Sequence, residues 1–534
     1  MSGNTRRRRP VIQQNSIDRI VAFFSPVRAR RRYIARAQLA MAESYVGAST
    51  SRRQTKAWSP TGSDADSDTL YDLPTLRARS RDLIRNDPLA AGAILTKVSH
   101  VVGSGLKLQS RIDRDVLGMS QDEADEWEAL AEREWALWWG SKNCDATLTR
   151  KGPALTRMIY RQVLENGDVF LHLPRIRRSD SPYTLAIQTI EADRVCNKDN
   201  SPDTEYLAGG ILRDDYGAPR EYHILRRHPG GFRFASPKEW TTVAARSSLT
   251  GLPNILHLAN LTRPGQSRGI PDLSPVIEPL KMLSRYTEAE LMAAVVSGLF
   301  AVFIRTEAGE ADINLEDLEG ETKGTASDED LKLTPGALIG LAPGEQVDSV
   351  NPGRPNAAYD PFTTSILRQI GVALGLPFEL LIKHFTSSYS AARAALNEAW
   401  EYFSTERDWL ASELLQTVYG VWMYESVALG RLYAPGYFDD PLAQRAYQSA
   451  EWTGPARKML DETKEVAAAE KRIEIGISTR SLEAASITGQ DFEKNVAQLG
   501  KEKALMQKAG IWSDGKKQAQ PQPQPTNKQD EEDE

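Results

Sequence analysis

Between Ser390 and Glu425 the chain runs thirty-six residues without a proline. A helix of that span is roughly 50 Å long, at about 1.5 Å per residue, which is more than an ordinary globular domain needs. Leu396, Trp400, Phe403, Leu410, Leu414, Val418 and Val421 recur at spacings of three and four, so one apolar face follows the rod. Just ahead of it, Gly375-Leu376-Pro377 breaks the chain, and a short loop carries a lone Lys383-His384 pair into the helix.

The 534-residue chain has room for about three domains and a sizeable core. Its formal net charge of -6 gives no overall basic excess of the kind that wraps nucleic acid. Charge is uneven, however. Residues 1–56 hold thirteen Lys/Arg against two Asp/Glu, whereas residues 307–330 hold ten acids against Lys323. Cys144 and Cys196 lack metal-ligand spacing and read as free thiols of a reducing cytosol. The start MSGNTRRRRP has charge but no apolar core behind it, so no signal peptide is expected. The most apolar run, Leu291 to Ile304, is short of the ~20 residues that span a bilayer, so no membrane span is expected either.

Along the chain, residues 1–60 are Arg- and Ser-rich with a weak helical patch near Ile17 to Phe24, and read as a mobile basic arm. Leu76 to Val102 is helical, with Pro88 opening a second helix at its first turn and Gly103 and Gly105 stopping it before the strand-like Leu106-Lys107-Leu108. Residues 121–139 form an acidic helix ending in Trp135, Trp138 and Trp139, a group suited to packing. From Asp168 to about Leu258, the runs VFLHL, TLAIQTI, EYHILRR and GFRFA alternate with turn signals, which indicates a small β-rich module.

Pro271 to Gly298 returns to helix, with Val276, Leu280, Leu283, Leu291 and Ala294 on one face. Strand-like Leu299 to Arg305, the acidic stretch and a second strand-like piece, Ala337 to Leu341, follow, and Pro361 to Leu374 is another helix. Trp452 to Lys508 reads as two or three amphipathic helices broken at Gly476-Ile477-Ser478-Thr479, where Ser478 or Thr479 caps the next. The tail from Gln518 is low-complexity.

Motifs for catalysis are missing. His100, His172, His223, His228, His257 and His384 are scattered, so no metal site is expected, and His257 between Leu256 and Leu258 reads as a strand histidine. There is no phosphate loop, no complete dinucleotide loop and no Gly-x-Ser-x-Gly elbow, and no cofactor is called for. Glu165-Asn166-Gly167-Asp168 could mimic a carboxylate pair for a metal-dependent nuclease acting on DNA. Asn-Gly-Asp is more often a turn before a strand, here Val169-Phe170-Leu171.

The order helix, compact α/β excursion, helix, loop, very long helix suits a radially elongated ring subunit better than an enzyme domain. Its pieces resemble the portal proteins of tailed bacteriophages, the lambda-type family in particular. They are Asp82-Leu83-Ile84-Arg85-Asn86-Asp87, Arg268-Gly269 with Ser274-Pro275, Gly371 to Pro377, Tyr389-Ser390-Ala391-Ala392-Arg393 with Asn397-Glu398-Ala399-Trp400, and Trp452 with Asp461-Glu462-Thr463-Lys464-Glu465.

The resemblance implies a non-enzymatic α+β subunit: an α/β wing, a two-helix stem, a small α/β clip, a long tunnel helix and a helical crown. Laid onto this chain, the arm is 1–60, the wing 61–272, stem helix 1 273–298, the clip 299–359, stem helix 2 360–376, the tunnel loop 377–388, the long helix 389–433, the crown 434–510 and a disordered tail 511–534. It implies a dodecameric ring at one capsid vertex of the virion, assembled in the host cytoplasm, through which double-stranded DNA passes without sequence specificity during packaging and ejection. The terminase large subunit, the head-tail connector, the major capsid protein and scaffold would be its partners. Lys383, His384, Phe385, Thr386, Ser387 and Ser388 would face DNA; Glu307, Glu310, Asp312, Glu316, Asp317, Glu319 and Glu321 would form the partner-docking clip. That acidic run reads equally as a solvated loop. Arg6 to Arg9 and Arg28 to Arg32 read either as nucleic-acid or scaffold contacts or as a solvated tail.

Overall fold

The computed structural model describes residues 21–42, 48, 53–231, 239–298, 302–306, 345–349, 356–385, 388–457 and 461–511. The chain divides into two compact units, 1–67 and 68–534. In the first, the arm carries a helix, α1 (Pro26–Ala42), which lies after the patch that periodicity indicated; of that patch residues 21–24 are described and are helical. Its arginines are good helix formers, and a proline at the first turn is compatible with helix.

The second unit is α+β. Helices α2 (Leu73–Asn86) and α3 (Pro88–Val101) meet at Asp87, whose carboxylate accepts from the N–H groups of Leu89 and Ala90 at 2.9 Å. Gly103 (φ +56) ends the run; a Cβ there would stand 2.4 Å from Pro455. Strand β1 (Lys107–Ser110) follows, then α4 (Gln121–Trp139), opened by a capping box between Ser120 and Glu123, and α5 (Gly152–Asn166). Gly167 (φ +89) turns α5 directly into β2 (Asp168–His172), because its Cβ position is filled by the backbone of Gly269 and Ile270.

The β-rich module holds two antiparallel sheets. One has order β3 (Gln188–Ile190), β2, β8 (Ile255–Ala259). The other runs β4 (Leu207–Ala208), β5 (Ile211–Arg213), β6 (Pro219–Leu225), β7 (Trp240–Ala244). Phe170, Ile190, Ile211, Tyr222, Ile224 and Ile255 form their shared core. The expected GFRFA strand falls largely outside the described residues; the fourth strand of the sheet is Trp240–Ala244.

Helix α6 (Ile277–Gly298) leads to β9 (Val302–Thr306), which pairs antiparallel with β10 (Glu345–Ser349). This partner lies beyond Pro343-Gly344, whereas Ala337 to Leu341 is outside the described residues. Helix α7 (Tyr359–Leu374) returns alongside α6, joined by stacking of Tyr286 on Tyr359 at 5.6 Å and by the Tyr359 hydroxyl bonded to Thr287 at 3.2 Å. The apolar face expected for α6 is covered only at its start. Val276, Leu280 and Leu283 are buried, but Leu291 is 64% exposed, and Met282, Met292 and Val295 are exposed with it.

After the short helix α8 (Phe378–Ile382) comes the rod: α9 (Tyr389–Leu410), a π-helical stretch over Ala411–Gln416, and α10 (Thr417–Ala428). Its forty residues span about 60 Å. Phe403, Leu410, Leu414, Val418 and Val421 are all buried, as the spacing indicates. Trp135 of α4 packs on this rod and on its own helix, 5.3 Å from Trp422, 5.5 Å from Tyr419 and 5.0 Å from Trp139, so the tryptophan group is core.

Beyond the rod, α11 (Pro441–Gln448) precedes β11 (Ala450–Thr453), a strand that pairs with β1 in the register Leu108 to Trp452. Trp452 therefore belongs to a strand and not to the first C-terminal helix. The helices that follow are α12 (Glu462–Glu474), α13 (Arg480–Thr488), capped by Thr479, and α14 (Phe492–Lys508). They meet the body through polar contacts, among them Lys107 to the Gly489 carbonyl (3.2 Å), Arg111 to Glu493 (3.4 Å) and Lys494 to Glu132 (2.5 Å).

Candidate nucleic-acid interface

The segment expected to face DNA is half helix and half loop. Gly375 (φ +65) ends α7 with its Cβ position 3.2 Å from the Tyr402 ring, and the Leu376 N–H reaches back to the Gly371 carbonyl at 2.8 Å. Pro377 then starts α8, which buries Leu380 and Leu381. These leucines hold 378–382 against the body. Lys383 caps α8 in the left-handed region (φ +55), and the His384 N–H bonds the Glu379 carbonyl at 3.2 Å. Lys383, His384 and Phe385 are exposed. Ser388 is exposed as well and caps the rod, its Oγ accepting from the Ala391 N–H at 3.4 Å. Thr386 and Ser387 lie outside the described residues.

The rod behind this segment is tied down by buried polar contacts. Lys97 of α3, with a side chain only 1% exposed, donates to Asp272 at 2.8 and 3.0 Å and to the Tyr402 hydroxyl at 2.9 Å. Burial alone would lower the Lys97 pKa, but Asp272 and Tyr402 outweigh it and raise it. Arg407 donates to the carbonyls of Val101 (3.2 Å) and His100 (2.9 Å) at the C-terminal end of α3, where the helix dipole favours a cation. Tyr160 donates to Glu406 at 3.1 Å, and His100 stacks on Phe403 at 4.8 Å. Two successive turns of α9 are thus tied to α3 and α5.

Asp168, the residue on which a nuclease would turn, is fully buried and fully engaged. Its oxygens accept from Arg268 Nε (2.6 Å), Arg77 Nη2 (2.7 Å), His257 Nε2 (3.1 Å) and the Gly269 N–H (3.4 Å). Burial pushes its pKa up, but the guanidiniums of Arg268 and Arg77 win, and it is held far below the ordinary carboxylate range. His257 also stacks on Phe170 at 4.2 Å, and burial lowers its pKa despite the carboxylate. It is the strand histidine that its position indicates. The Asp168 site fastens β2 and β8 to α2 and offers no free carboxylate lone pair to a metal. Among the described residues, Glu191, Asp193 and His228 also place one ligand atom each within 4.8 Å of one another. Asp193 there already accepts from Arg77 (3.3 Å) and Arg81 (2.5 Å), so cations of the protein fill that place.

Sequence reasoning named Asp168 and the Arg268-Gly269 pair separately but not their union, because Arg77 and Arg268 lie 91 and 100 residues from Asp168. It also missed Lys97 with Asp272. Lys97 as the single Lys, Arg, Asp or Glu between Ala90 and Val101 was the available signal. Glu307, Glu310, Asp312, Glu316, Asp317, Glu319 and Glu321 all fall between β9 and β10, outside the described residues.

Comparison with known proteins supplies the class, a phage portal protein. A family model described as phage portal protein, lambda family, matches residues 51–407, and the chain belongs to that family. It is 27% identical over 478 residues to portal protein B of Escherichia phage lambda, covering 86% of this chain and 89% of that one. The portal protein of Escherichia phage N15 matches at the same identity and coverage. Among solved structures, a chain from the neck of a native gene transfer agent particle aligns with 78% of this chain and 99% of its own, at 12% identity and a TM-score of 0.41. A crystal structure of an HK97 family portal protein from Corynebacterium diphtheriae aligns at 11% identity, covering 63% and 85%, with a TM-score of 0.28.

Proposed function

We propose that copies of this chain stand side by side in a closed ring, a dodecamer, at one vertex of a phage capsid. The ring serves as the channel for double-stranded DNA during packaging and ejection. It is assembled in the host cytoplasm and carried in the virion. In this reading, 61–272 is the wing, 273–298 and 360–376 the stem, 299–359 the clip, 377–388 the tunnel loop, 389–433 the long helix and 434–510 the crown.

One observation carries the reading: two adjacent helices leave large apolar side chains exposed along their length. Leu291, Met292 and Val295 on α6 and Phe362 and Val372 on α7 are exposed, Val372 by 83%. A soluble monomer gains nothing from such a strip, whereas neighbouring copies would cover it. Lys383 and His384 supply few cations per subunit. That suits a lining along which a duplex slides, since each neutralised phosphate adds grip. The acidic residues Glu307 to Glu321 form the docking surface for the terminase large subunit and the head-tail connector, by charge complementarity that speeds encounter.

The test is the mass of the purified protein in solution, with micrographs of the same sample. About a dozen chains around a central hole are expected, and Met292→Asp with Val295→Asp should yield folded single chains. Compact single particles of the unaltered protein would defeat the reading.

A further inference from the structure

Helix α1 lies in the smaller unit, ahead of residue 51, where the family match begins. A helical segment, residues 21–24, precedes it across a break at Ser25, where the Ser25 N–H bonds the Val21 carbonyl at 2.9 Å and the Ala29 N–H bonds the Ser25 carbonyl at 3.1 Å. At about 100° per residue, Phe23, Val27 and Ile34 fall on one stripe. All three are exposed, Phe23 by 83% and Val27 by 66%. Arg30 and Arg31 flank the stripe on either side, with Arg28 beyond them, and all three are exposed.

We propose that α1 is an interfacial anchor for an anionic phospholipid surface. The pattern has the two parts such a helix needs: an apolar stripe to enter the acyl boundary, and cations beside it whose aliphatic stems lie along that boundary while their guanidiniums reach the headgroups. A DNA duplex would engage the arginines alone and leave Phe23, Val27 and Ile34 in water. A neutral bilayer would leave the arginines without counter-charge. Only a surface both apolar and anionic occupies both parts, and each arginine near it adds to the attraction. No helix among the described residues is long and apolar enough to cross a membrane, so the contact is peripheral. Ring formation is not required for it.

The experiment is co-flotation of the full-length protein with vesicles of phosphatidylglycerol mixed with phosphatidylcholine, and with vesicles of phosphatidylcholine alone. Binding is expected to the anionic vesicles and to be weaker on the neutral ones by roughly tenfold or more. Val27→Asp with Ile34→Asp, and separately Arg28→Gln with Arg31→Gln, should each lose binding by at least about tenfold, while Val27→Leu with Ile34→Leu should keep it. Sedimentation of each variant reports ring assembly independently, so loss of the anchor and loss of the ring are told apart. Absence of flotation overturns the proposal. So does binding that survives Val27→Asp with Ile34→Asp and is displaced by duplex DNA, which would make the helix a nucleic-acid contact.

Discussion

Lys97 and Asp272 are 175 residues apart in sequence, yet the ammonium of one and the carboxylate of the other meet at 2.8 Å beneath Tyr402. This pair joins α3, the segment leading into α6, and the first half of the rod. Removing one partner leaves the other charge without compensation. Lys97→Met should cost about 3 kcal/mol, and adding Asp272→Leu should recover most of it, because both charges then leave together. Thermal or denaturant unfolding of the two variants checks this, and equal losses would speak against coupling.

Asp168→Asn should be more severe, about 3–5 kcal/mol, because Arg77 and Arg268 both become buried cations without a counter-charge. The acid side has a sign. The folded pKa of Asp168 is depressed from 3.8, so its contribution is complete above that value and is lost as pH falls below it. The unaltered protein should therefore lose stability steeply below about pH 4, and the Asn variant less steeply. Parallel slopes in an unfolding series would remove this role.

Glu128 works in the opposite direction. Burial pushes its pKa up from 4.5 to about 7, even though it accepts the Ile112 N–H at 2.8 Å and lies 3.7 Å from Arg111. The folded state holds the proton more tightly than the unfolded chain, so stability declines as pH rises from 4.5 through about 7. Glu128→Gln keeps an acceptor for Ile112 and should raise stability by about 1–2 kcal/mol above that window and flatten the profile.

Lys383→Ala with His384→Ala tests the loop at the foot of the rod. Each subunit would lose its only cation-forming side chains there, and the loss repeats around a ring. A change of roughly threefold or more in packaged-DNA retention or packaging rate is expected, larger at low salt. Unaltered packaging and release would count against a DNA-facing loop.

Much of the fold was legible because it is local. The rod announced itself by three-and-four spacing from Leu396 to Val421, α3 by Pro88, and the turn into β2 by Asn166-Gly167-Asp168. What escaped depends on distant partners. Ala450 to Thr453 is too short to stand out and becomes a strand only because Lys107–Ser110 waits for it. The spacing of α6 correctly marked Leu280 and Leu283 as core, but it cannot distinguish burial within a chain from a surface such as Leu291's, which is left open. The anchorage of the candidate site was hidden for the same reason: Lys97, Asp272 and Tyr402 carry no common motif. Residues 377–388 read as a loop because Pro377 signals a break, yet Leu380 and Leu381 find a surface to cover and so turn helical.

The pairing of β1 with β11 sets a timetable for synthesis. A ribosome that has released β1 must translate more than three hundred further residues before the matching edge emerges, and until then Trp135 also lacks the indole of Trp452, its neighbour at 5.7 Å. Such distant closures form slowly and leave sticky intermediates exposed in the meantime. A nonsense codon anywhere before Thr453 would therefore produce a molecule with an open seam through its main core, prone to clump, and not a shortened working one.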